Sequence, residues 1–172
     1  MLARARLELG VPYDYHALLR LFLESQTFPL GLPARLRMAV LADLAECACE
    51  MNDTSATRAL TARLQPFQGL HVSFGTGVSY GGPVNYYLGM LALASSSMDQ
   101  ARTMFERAIQ EAESVGAKPY RAWSEFRMAQ TLEAHGDAER RRALLDSARS
   151  VAKQHGLGRL ERMIANDFSL VQ

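Results

Sequence analysis

An all-α array of stacked helical hairpins is the fold this sequence predicts, and three observations carry that expectation. A pattern recurs about forty residues later, from Leu88, Gly89, Ala101, Phe105 and Ala108 to Met128, Ala129, Arg141, Leu145 and Ala148. Apolar residues fall at helical spacing through about eight segments, most of them bounded by Gly, Pro, Asn or Asp. The chain of 172 residues is 48% hydrophobic and 22% charged, which suits an ordered protein with a real core.

The first expected helix covers about residues 13–26, where Tyr15, Leu18, Leu19, Phe22 and Leu23 form one stripe. Pro12 stands at its entry, and Phe28, Pro29, Leu30 and Gly31 end it. A second helix over about 33–51 places Leu36, Val40, Leu41, Leu44, Ala45 and Ala48 together, and Asn52 and Asp53 mark its end and the next N-cap. A third, about 54–64, has Ala56, Ala59, Leu60 and Leu64 as its apolar side and stops at Pro66. The stretch 65–82 is irregular, with Gly69, Gly75, Gly77, Gly81 and Gly82, and has room for a short strand or helix of its own.

Regularity returns at Pro83. Helix four, about 83–96, carries Tyr86, Tyr87, Leu88, Met90, Leu91 and Leu93, with Gly89 allowing close approach. Helix five opens at Met98 or Asp99 and runs to Val115 on a stripe of Ala101, Met104, Phe105, Ala108, Ile109 and Ala112, and Gly116 closes it. Helix six, about 119–135, turns Trp123, Phe126, Ala129 and Leu132 inward, and Gly136 and Asp137 end it and cap the next. Helix seven, about 138–155, uses Leu144, Leu145, Ala148, Val151 and Ala152 before Gly156. Helix eight, about 158–168, is a terminal cap with Leu160, Met163 and Ile164 facing in.

Composition narrows the classes of function. The net charge is +1, split as nine basic against eleven acidic residues over 1–117 and ten against seven over 118–172. Cys47 and Cys49 are the only cysteines. On a helix they point about 200° apart, so they read as packing thiols of a reducing compartment. Arg4 and Arg6 are followed by Glu8, Gly10 and Pro12 without an apolar region, so no secretory signal is expected. No apolar run reaches the length of about 18 residues that spans a membrane, and a cytoplasmic location is expected.

The spacing Leu88, Gly89, Ala92, Ala101, Phe105, Ala108 resembles the tetratricopeptide (TPR) repeat. Asn85 stands at its Trp position, and the repeat-ending proline is displaced to Pro119. Met128, Ala129, Leu132, Leu145 and Ala148 match more loosely, with Arg141 at a position that expects a small residue. Leu44, Ala45, Ala48, Thr57, Thr61 and Leu64 form a weaker first repeat. The resemblance implies a right-handed TPR-like solenoid: an N-terminal helix (12–32), a divergent hairpin (33–66), a Gly-rich connection (67–82), repeats at 83–116 and 117–156, and a capping helix (157–172). A unit of about forty residues, with Gly81 to Gly89 and Gly136-Asp137 followed by Leu144-Leu145, is similar to arrays at the C-terminal end of large bacterial signalling proteins. Those include LuxR-type regulators and ATPases carrying a cyclase domain, and this chain would be the array alone.

The glycines of 75–82 lack the Lys-Ser or Lys-Thr of a P-loop, and no GxGxxG unit is present, so a flexible connection is preferred to phosphate binding. His16, His71, His135 and His155 are scattered, with no metal-ligand spacing, and no Ser-His-Asp set or GxSxG elbow stands out. No catalytic residue, metal or cofactor is therefore expected. Arg140, Arg141, Arg142, Arg149, Lys153, Arg159 and Arg162 make the last helices basic, but Asp137, Glu139 and Asp146 interleave with them and read as a solvated face. Nucleic acid and membrane are not expected as partners.

Tyr80, Tyr86, Tyr87, Tyr120 and Trp123 cluster near the starts of two successive first helices, which in a TPR-like stack line the concave side. Packing is the reading for Trp123 and Tyr87, and Tyr86 and Tyr120 are the better contact candidates. With Tyr80, Asn85 and Arg121 they form the candidate partner-binding set. The expected function is a non-catalytic interaction or signal-transducing module of a bacterial regulatory protein. It would bind a protein or peptide on the concave face or associate with a second copy. A small-molecule effector-sensing domain of a transcriptional regulator is the alternative.

Overall fold

The computed structural model describes residues 17, 19–20, 34–74, 77, 79–132 and 137–169. The expected helix at 13–26 lies outside them apart from Ala17, Leu19 and Arg20, as do Gly75, Thr76 and Val78 of the glycine-rich stretch. The described chain is mostly helical, with one two-stranded sheet. It divides into two compact units, Met1–Ser97 and Met98–Gln172. The boundary falls within 83–116, so the two helices of the best-formed repeat belong to different units.

The first unit contains α1 (Ala34–Glu50), α2 (Thr54–Leu64), a 3-10 turn (Gln65–Phe67), β1 (His71–Phe74), β2 (Ser79–Pro83) and α3 (Val84–Ala94). Asp53 caps α2 as its sequence position predicts: its Oδ1 accepts from the Ala56 N–H at 2.9 Å. α1 packs against α2, α3 and β1, and α2 against α3. Every residue from Val84 to Ala92 is buried, so α3 has no polar face and forms the centre of this unit's core.

Where the sequence suggests an irregular connection, the chain makes an antiparallel hairpin pairing His71 with Pro83, Val72 with Gly82, Ser73 with Tyr80 and Phe74 with Ser79. Gly81 is the extra residue of a bulge opposite Val72 and Ser73. A Cβ there would come within 2.6 Å of Phe74 and 2.8 Å of Val72, which is why the strand carries glycine at this point. The Tyr87 hydroxyl donates to the Gly81 carbonyl and ties the bulge to α3.

The second unit contains α4 (Met98–Ser114), α5 (Lys118–Ala129), α6 (Ala138–His155) and α7 (Gly158–Ser169), each packed on the next. Linkers as short as 115–117 and 156–157 fold consecutive helices back on one another. Its core joins Ala122, Phe126 and Ala129 of α5 to Leu145, Ala148, Val151 and Ala152 of α6 and to Leu160 and Ile164 of α7. The alanines let helix backbones approach closely, and the larger side chains fill between them.

Helix ends in both units share one device. After α1, α3, α4 and α6 stands a residue with positive φ: Asn52 (53°), Ser96 (57°), Gly116 (67°) and Gly156 (65°). In each case the following N–H reaches back five residues, as in Asp53 to Ala48, Ser97 to Ala92, Ala117 to Ala112 and Leu157 to Ala152. Two expectations are corrected. α5 ends at Ala129 rather than near 135, because Thr131 and Leu132 turn tightly onto the Met128 and Ala129 carbonyls. Asp137 precedes α6 without a side-chain capping bond: its φ of −120° and ψ of 23° lie outside the extended geometry that aims a cap at the first turn. Among the described residues no helix is long and apolar enough to cross a membrane.

Candidate partner-binding face

α5 begins where Gly116 halts α4 and Pro119 supplies a preset φ in the first turn. Helical residues are spaced by about 100°, so Tyr120, Trp123, Arg127 and Gln130 share one stripe, and all four are half-buried. Ala122, Phe126 and Ala129 turn inward to the core. The stripe therefore carries two aromatics, an arginine and an amide that keep accessible surface on a well-packed helix.

Packing holds these side chains in place. The Trp123 ring meets Phe126 edge-on, with centroids 6.4 Å apart and an interplanar angle of 79°. The Arg159 guanidinium of α7 lies 5.9 Å over the Trp123 ring, and that of Arg127 lies 5.7 Å over Phe126. Arg127 also donates from Nη1 to the Gln130 Oε1 at 3.0 Å. From α4, Arg102 Nη2 donates to the Thr131 carbonyl at 3.1 Å, just past the end of α5. Two guanidiniums are thus brought to the last turn of α5 by neutral oxygens.

Three other arginines of the unit are engaged by carboxylates. Arg121, about 100° around the helix from Tyr120, places Nη1 3.4 Å from Glu113 and Nε 3.4 Å from Glu125. Arg140 holds Glu106 at 2.7 Å, and Arg141 pairs with Asp167. Among the described residues no ion pair forms at Arg102 or Arg127. Glu125 is 7% exposed. Burial raises its pKa above the ordinary carboxylate value, while the Ser147 hydroxyl and Arg121 pull it back and Glu113 adds to the rise.

The five residues expected from sequence divide between the units, Tyr80, Asn85 and Tyr86 in the first and Tyr120 and Arg121 in the second. Tyr80 is 38% exposed on β2, its hydroxyl 2.7 Å from His71 Nδ1 and its ring 5.7 Å from the imidazole. Asn85 and Tyr86 lie in α3 at 1% and 4% exposure, which reverses the expectation of surface contacts. A segment reading Val-Asn-Tyr-Tyr-Leu-Gly-Met-Leu-Ala-Leu-Ala is apolar on every side, the mark of a buried helix. Tyr120 lies on the stripe, while Arg121 is committed to Glu113 and Glu125. From sequence, Arg127, Gln130 and Glu125 go unremarked and Arg159 reads as part of a solvated basic face, while Trp123, favoured there as a packing residue, does pack against the core. The 120, 123, 127, 130 spacing was the signal that finds the stripe.

Among the described residues, no group of three or more His, Cys, Asp or Glu is arranged to hold a metal ion. Cys47 is buried and Cys49 half-buried, in keeping with packing thiols. No family model, curated protein or solved structure matches the chain.

Proposed function

We propose that this chain is a non-catalytic interaction module that takes a protein or peptide partner on the accessible face of α5. The observation that carries the reading is the Tyr120, Trp123, Arg127, Gln130 stripe, in which Trp, Tyr and Arg stay half-buried and are held by neighbouring rings and amides. Those residue types dominate binding energy at interfaces, because they bring large area or several donors with little ordering cost. A TPR-like reading of the unit is supported by four consecutive helices, each packed on the next, with positive-φ glycines ending α4 and α6. The similarity of 81–89 and 136–145 to signalling arrays supports a place in a bacterial regulatory protein.

Partner capture from the source cell by the tagged chain tests this reading. The same captured species should be lost with Trp123→Ala and with Arg127→Ala and kept with Tyr80→Phe, with unchanged helical circular dichroism in all three. Equal capture by every variant would overturn the α5 face as the binding site.

A further inference from the structure

We draw no further inference here: the strongest candidate, the half-buried Tyr120, Trp123, Arg127 and Gln130 stripe on the accessible face of α5, belongs to the site already described, and nothing in the structure shows what covers it.

Discussion

Arg141 of α6 and Asp167 of α7 form an ion pair across 26 residues of sequence, with both side chains 15% exposed. The guanidinium thus crosses from α6 to α7. Arg141→Ala leaves the Asp167 carboxylate mostly buried without its cation, at a cost of about 2 kcal/mol. Asp167→Ala leaves the converse, and the double variant should recover part of the loss because neither charge is stranded. Urea denaturation of the three variants measures this, and strictly additive losses would show that the pair is not a coupled unit.

Ser96 ends α3 with a φ of 57°, at the position that Gly116 and Gly156 occupy after α4 and α6. A side chain in that region costs about 1–2 kcal/mol in L-residues, and glycine avoids most of it while losing more freedom on folding. Ser96 is exposed, so no packing changes with the substitution. Ser96→Gly should therefore stabilise the chain by about 0.5–1 kcal/mol, read as a higher urea midpoint with unchanged slope.

Cys47 is buried in α1, and its thiol pKa is pushed up to about 12 by burial first and then by Asp43, Glu50 and Glu46. At pH 8 an ordinary thiol is partly thiolate, whereas this one ionises about a thousandfold less. Iodoacetamide at pH 8 should leave Cys47 unmodified in the native chain and alkylate it at an ordinary rate in urea. Peptide mass mapping reads the outcome, and rapid native alkylation of Cys47 would contradict its burial.

The residues explain how far the sequence could be read. α2 is expected at 54–64 and found at Thr54–Leu64, because Asp53 caps one end and Pro66 stops the other within a few residues of sequence. Gly116 and Gly156 likewise announce helix ends that depend on local backbone geometry alone. The hairpin was not legible, since Val72 and Phe74 become strand residues only by pairing with Gly82 and Ser79 across a bulge that Gly81 makes possible. Tyr86 was misplaced for a related reason. Its burial follows from α1 and α2 both packing on α3, a fact of tertiary contact rather than of its own helix. Arg127 was not legible as a stripe residue because its contacts with Phe126 and Gln130 exist only once the end of α5 is folded.

Glu125 tests the polar seam on the far side of α5 from the stripe. Burial raises its pKa above the ordinary value of 4.5, so the folded chain prefers the neutral carboxyl. A group with a raised folded-state pKa contributes stability that is fully present below its unfolded pKa and is lost as pH rises through the folded value. The window therefore opens near pH 4.5 and extends upward, and at neutral pH the charged form is held at a cost that Arg121 and Ser147 only partly offset. Glu125→Gln should melt higher than the parent chain at pH 7, and the two should converge as pH falls toward 4. Thermal denaturation at a series of pH values measures it. A variant less stable than the parent at pH 7 would mean that the Arg121 ion pair outweighs the burial of the carboxylate.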